Sequence, residues 1–254
     1  VENLQVSTKG PGDFVSKADR EAERLIKEEL LGGRPTYGWI GEETGVQAGA
    51  DPTRRWIVDP LDGTTNFLHG MPHWAVSIAL EHKGEIVSAV VYDPAKDEMF
   101  WAEKGAGCWL NDNRRLRVSG RRAMHEAVFA TGVPFGAKQT LPAMLKDLGR
   151  LMPACAGVRR WGAASLDLAF VAAGRYDAFF EFGLAPWDVA AGILIPLVEF
   201  LLIFVGMGLL MLMAFVFLNV SPLVVIAMVF AFFAVFITLP LAWRSRTVTD
   251  KGAD

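Results

Sequence analysis

Residues Trp56 to Asn66 read W-I-V-D-P-L-D-G-T-T-N. Trp56, Ile57 and Val58 are aromatic or β-branched, the composition of a short strand, and Asp59 follows where that strand is expected to end. Pro60 has no N–H to give to a ladder and is expected to stop it. Asp62 then returns to the same mouth, so two carboxylates converge at one strand end as hard oxygen ligands for a cation such as Mg²⁺. Gly63 lets backbone come close to an anion. Thr64 and Thr65 are read as opening a helical turn whose free N–H groups face a phosphate. The stretch is therefore a candidate site for metal and phosphate together.

Working outward, the flanking segments alternate between helix and strand. Lys17 to Leu31 has helical periodicity with Ser16 as its N-cap. Glu21, Glu23, Lys27 and Glu28 are assigned to its wet face, opposite Ala18, Ala22, Leu25 and Ile26. Tyr37 to Ile40 is a strand leading into Glu42. After the central stretch, Ala75 to Glu81, Ile86 to Asp93 and Glu98 to Glu103 form a meander broken at Lys83-Gly84, Asp93-Pro94 and Lys104-Gly105. Met144 to Leu151 and Leu166 to Ala173 read as helices, Asp177 to Phe182 as a strand, and Pro186 to Ile195 as a helix. Mixed order of this kind predicts layered α and β structure.

Three motifs in one order carry a resemblance: G-E-E-T-G at Gly41 to Gly45, D-P-L-D-G-T-T-N-F continuing into H-G-M-P-H-W-A-V-S-I-A-L, and W-D-V-A-A-G at Trp187 to Gly192. From Val1 to about Ile195 the chain resembles the inositol monophosphatase family of Mg²⁺-dependent, lithium-sensitive phosphatases. The resemblance implies an α-β-α-β sandwich and hydrolysis of a small phosphorylated polyol with two or three Mg²⁺ ions. It assigns the first ion to Glu42, Asp59 and the Leu61 carbonyl, and the second to Asp59, Asp62 and Asp188. The nucleophile it implies is a water activated by metal, with Asp19 and Thr64 accepting the proton and Glu42 completing the catalytic set. Gly63 and Thr64 are placed at the phosphate, and Gly162, Ala163, Ala164, Glu181 and Asp188 at the polyol hydroxyls. Inositol monophosphate is the expected substrate. Histidinol phosphate, fructose bisphosphate and adenosine 3′,5′-bisphosphate are the alternatives within related families, and a homodimer is a further expectation.

Charge is distributed unevenly along the 254 residues. Of 25 Lys+Arg and 28 Asp+Glu, only Arg244, Arg246, Lys251, Glu199, Asp250 and Asp254 fall after residue 196. Leu197 to Leu218 and Leu223 to Trp243 are apolar runs flanking Asn219-Val220-Ser221-Pro222, each near the roughly 20 residues that cross a bilayer core. The expectation is an all-α two-span transmembrane hairpin over 196–243, with the cationic tail 244–254 on the cytoplasmic side. The preceding domain, 1–195, is then a phosphatase fold truncated at both ends, held at the cytoplasmic face of a lipid bilayer. A contrasting expectation is a non-catalytic membrane protein with a vestigial phosphatase part. Cys108 and Cys155 have no paired spacing, which suits a reduced compartment. His69 and His73 are separated by Gly70 and Pro72, which break the helix a paired-histidine zinc site needs. The chain has no basic stripe, and no nucleic-acid partner is expected.

Overall fold

The computed structural model describes residues 6–10, 13–133 and 141–196, within a unit spanning Val1–Phe200. Strands β1 (Val6–Gly10) and β2 (Asp13–Ser16) form an antiparallel pair ahead of helix α1 (Lys17–Gly33). Next come β3 (Tyr37–Gly41), β4 (Gly45–Gln47), β5 (Asp51–Asp62), the short helix α2 (Thr64–Leu68), β6 (Ala75–His82), β7 (Glu85–Asp93), β8 (Glu98–Glu103), β9 (Gly107–Leu110) and β10 (Arg114–Arg115). Then follow β11 (Val128–Thr131), α3 (Leu141–Leu151), β12 (Gly157–Arg159), α4 (Ala164–Ala172), β13 (Ala178–Phe180) and a helix over 186–196, here α5.

Among the described residues, eight strands make one sheet in the order β10-β9-β8-β7-β6-β5-β3-β4, and β12-β11-β13 make a smaller one. The large sheet is antiparallel except where β3 runs parallel to β5, and the small sheet is parallel throughout. Register brings Ile57, Ala79, Ala89, Ala102 and Cys108 into one row across five strands. These residues are small apart from Ile57, so a helix can approach closely. α4 does so, with Leu166 and Phe170 in the same buried cluster and the Phe170 ring 5.8 Å from that of Phe100. Because α4 also contacts β11 and β13, it is apolar around nearly its whole circumference, as a helix between two sheets must be. α5 packs on it where Gly192 leaves room for Leu168: a Cβ there would stand 2.6 Å from Cδ1.

α1 covers the opposite face, with Lys27 over the Trp39 ring. Arg24 ties its outer side together by ion pairs to Glu21 and Glu28. The layers are therefore α1, large sheet, α4 with α5, and small sheet. The expected α-β-α-β sandwich holds for the described chain. Glu23 does not lie on the wet face: it is wholly buried, as is Asp19 one turn before it. Pro60 does not end the ladder either. β5 pairs with β6 at Asp59↔Ser77 and again at Asp62↔Ala75, so Pro60 sits in a bulge, where its missing N–H is not needed.

The transmembrane hairpin is corrected. No helix among the described residues is long and apolar enough to cross a membrane. The apolar runs 197–218 and 223–243 and the tail 244–254 lie outside the described residues. With no spanning helix among the described residues to carry it, the lipid-bilayer partner and the membrane-anchored localisation are withdrawn.

Candidate active site

The bulge turns the end of β5 into a site. Asp59 is 2% and Asp62 8% exposed, so both carboxylates are held inside the protein. Asp59 Oδ1 accepts the Leu61 N–H at 2.9 Å, a local turn that closes the bulge around Pro60. Asp62 Oδ2 accepts the Ser165 N–H at 2.7 Å and the Ser165 hydroxyl at 2.5 Å, at the first turn of α4. Gly63 follows with φ 92°, a left-handed conformation that favours glycine, and a Cβ there would crowd the His73 and Gly162 carbonyls. α2 then starts at Thr64, as the sequence leads one to expect. The Thr64 Oγ1 stands 2.8 Å from Asp19 Oδ1 and 3.1 Å from the Leu61 carbonyl, so its single proton has an acceptor on α1.

Other segments converge on the same place. Glu42 follows β3, with its N–H on the Val58 carbonyl of β5 at 3.2 Å. Asp188 is the third residue of α5, and its Oδ2 accepts the Ala185 N–H at 2.6 Å, the reach-back half of a capping box. Asn66 donates to the carbonyls of His73 and Trp161, both at 2.7 Å, and so fastens the loop before α4 to the end of α2. A cavity of ≈ 290 Å³ opens between these segments, small by the scale of ligand sites. Glu42, Asp59, Leu61, Asp62 and Asp188 line it, as do Gly63, Thr64, Gly162, Ala164 and Glu181. Asp19 stands behind Thr64 rather than in the wall. Ala163 is buried and packs beneath Gly63.

Burial and crowding dominate the electrostatics. Desolvation, then the charges of Asp62, Glu42 and Asp188, raise the Asp59 carboxyl well above its usual range. Burial also raises Asp62, to about 6, against the two Ser165 hydrogen bonds that favour its ionised form. Glu181 is pushed up to about 7 by burial and by Asp62, Asp167 and Asp188, with Arg160 opposing. Behind the wall, His73 Nε2 and Asp167 Oδ1 face each other at 3.7 Å, both buried and with no hydrogen-bond partner among the described residues.

Among the described residues, no group of three or more His, Cys, Asp or Glu is gathered tightly enough to clasp a metal ion. The donor set nevertheless fits Mg²⁺. It is all hard oxygen, and Glu42, Asp59, Asp62 and Asp188 bring into one cavity several carboxylates whose charge a divalent cation would neutralise.

Sequence reasoning missed several parts. Arg160, Gly132 and Phe182 line the cavity, and Ser165 holds Asp62. Gly132 makes room for Glu181: a Cβ on it would fall 1.9 Å from Oε2. The signal for Ser165 was available, since a serine in the first turn of a helix is a ready donor to an anion. None marked Arg160 or Gly132, which lie beside strands of three or four residues.

A model of the inositol monophosphatase family matches residues 2–196. The chain belongs to that family. It is 59% identical over 195 residues to the inositol-1-monophosphatase of Rhizobium meliloti, covering 77% of this chain and 73% of that one. The inositol-1-monophosphatase of Caulobacter vibrioides is 56% identical over 195 residues, covering 76% of each. Among solved structures, the extragenic suppressor protein suhB from Bartonella henselae superposes with a TM-score of 0.75 at 52% identity, over 78% of this chain and 76% of that one. The family's hydrolase chemistry is Mg²⁺-dependent, and so is this chain's.

Proposed function

We propose that Glu42, Asp59, Asp62 and Asp188 are the Mg²⁺ ligands with which this chain, a phosphoric monoester hydrolase of the inositol monophosphatase type, cleaves a small phosphate monoester, inositol monophosphate foremost. One observation carries the reading. Carboxylates from three separate sequence segments meet in one cavity, beside a threonine hydroxyl already bonded to a buried aspartate. When bound, Mg²⁺ supplies Lewis-acid charge stabilisation to the phosphoryl oxygens and lowers the pKa of water. Two or three ions suit four carboxylates and the Leu61 carbonyl.

The remaining work falls to this chain's own groups. Because Thr64 donates its proton to Asp19 Oδ1, its Oγ1 keeps lone pairs turned toward the cavity and accepts a hydrogen bond from the attacking water. Asp19, buried behind it, takes up the proton that Thr64 passes on. The first-turn N–H groups of α2, which lack intrahelical acceptors, receive phosphate oxygens. Glu181 and the backbone at Gly162 face the alcohol, where a carboxylate suits hydroxyl donors.

Phosphate release should be measured with purified protein on myo-inositol 1-phosphate, histidinol phosphate, fructose 1,6-bisphosphate and adenosine 3′,5′-bisphosphate, with Mg²⁺ or with EDTA. The inositol ester should give the highest kcat/KM, and EDTA should abolish turnover. Mg²⁺-independent release, or no release from any of the four, would overturn the reading.

A further inference from the structure

Glu23 is a carboxylate at 0% exposure on a helix whose other glutamates face water. Its Oε2 accepts the Glu43 N–H at 2.7 Å, and its Oε1 accepts the Thr44 N–H at 2.8 Å and the Thr44 hydroxyl. Thr44 Oγ1 accepts in turn from the Trp39 indole at 3.1 Å. The turn between β3 and β4, which starts at Glu42, is thus gripped from α1 at its second and third residues. It is gripped from β5 at its first, through Glu42 N–H and the Val58 carbonyl.

The neighbouring backbone is shaped for this carboxylate. A Cβ on Gly41 would stand 2.5 Å from Glu23 Oε1 and 2.7 Å from its Cδ, so only glycine at 41 admits the side chain. A buried carboxylate is costly unless donors surround it, and here two N–H groups and a hydroxyl do so. The same helix face, one turn earlier, carries Asp19 against Thr64.

We infer that Glu23 is a positioning residue for Glu42: by clamping the Glu43-Thr44 turn it fixes where the Glu42 carboxylate enters the cavity, and thereby sets the affinity of the site for divalent cations. The inference rests on Glu42 being a cation ligand. Groups that orient a ligand without touching the metal typically change affinity by about 10–100-fold when removed. α1 then serves the site twice, once as proton acceptor and once as scaffold.

Direct Mn²⁺ binding, read by electron paramagnetic resonance on the full chain, tests this without turnover. Glu23→Gln and Glu42→Gln should each weaken Mn²⁺ binding, the first by about tenfold, and the double variant should bind no more weakly than Glu42→Gln alone. Thr44→Ala, which removes the hydroxyl and leaves both N–H bonds, should weaken binding less, and it keeps the test available if Glu23→Gln does not fold. Turnover of Glu23→Gln should return toward the wild-type rate at saturating Mg²⁺. Unchanged Mn²⁺ binding in Glu42→Gln would overturn both the ligand assignment and the clamp. A weakened Glu42→Gln beside an unchanged Glu23→Gln, or unchanged binding in Thr44→Ala where Glu23→Gln does not fold, would overturn the clamp alone. So would losses that add fully in the double variant.

Discussion

The end of β5 and the small parallel sheet both line one cavity and are built in opposite ways. At the end of β5 the functional groups are neighbours in sequence. Asp59, Leu61, Asp62, Gly63 and Thr64 are placed by a bulge, a local turn and a helix start, all within six residues. At the small sheet, Gly132 follows β11, Arg160 follows β12 and Glu181 follows β13, so one wall needs three strands from distant parts of the chain. The local side offers hard anionic oxygens and first-turn N–H groups, which any phosphate ester can use. The assembled side offers a carboxylate of adjustable charge, proposed above to face the alcohol, and a guanidinium at the same cavity. On the proposed function the comparison implies a division between reaction and recognition, and each half should fail differently when altered.

The largest effect belongs to the strand end. Asp59→Asn keeps shape and removes a buried negative charge, so turnover should fall by roughly 10²–10³-fold, the scale of losing one group that stabilises transition-state charge. The metal-free protein should at the same time melt higher at pH 8, because the wild-type carboxylate is disfavoured by burial and by Asp62, Glu42 and Asp188. Calorimetry with EDTA checks this, and a lower melting temperature would break the claim that charge is crowded there for function at a cost in stability.

A second effect sharpens the recognition side. The Glu181 carboxyl is raised from 4.5 to about 7 in the folded protein. Below about pH 4 both folded and unfolded states hold the proton. Between the two values the unfolded chain has released a proton the native state retains, so its contribution to stability falls as pH rises, until the fall ends above about pH 7. Metal-free Glu181→Gln should lack that part of the decline and gain stability relative to wild type from pH 5 to pH 8. Denaturant titrations across this range measure it, and parallel curves for the two proteins would contradict the assignment.

The smallest effect is that of Arg160, which is exposed at the cavity rim. Arg160→Ala should raise KM by only a few-fold, as expected of a solvent-screened charge, and added salt should shrink the difference. A loss as large as that of Asp59→Asn would place Arg160 in the reaction half.

The same contrast explains what could be read from sequence. Asp59, Asp62 and the α2 start were legible because their spacing is itself their geometry. The meander was legible because β6, β7 and β8 alternate over six to nine residues. β11 and β12 were not, since strands of four and three residues carry little period, although the equally short β13 was read within Asp177 to Phe182. The Pro60 error came from treating a missing N–H as a stop, when a bulge accommodates it. Glu23 looked solvated because charge alone was counted. Its spacing of four from Asp19 put it on the buried face of α1, and only the β3–β4 turn supplies its donors. The apolar runs after residue 196 satisfied a length rule, yet no spanning helix occurs among the described residues.

Parallel determination of kcat and KM for Asp62→Asn and Glu181→Gln on myo-inositol 1-phosphate, at pH 8 and saturating Mg²⁺, tests the division most directly. The expected result is a fall in kcat of roughly 10²-fold or more for Asp62→Asn. For Glu181→Gln, it is a rise in KM of about tenfold with kcat nearly kept, the scale of one charged hydrogen bond. Equal losses of kcat in both variants, or wild-type kcat in Asp62→Asn, would contradict it.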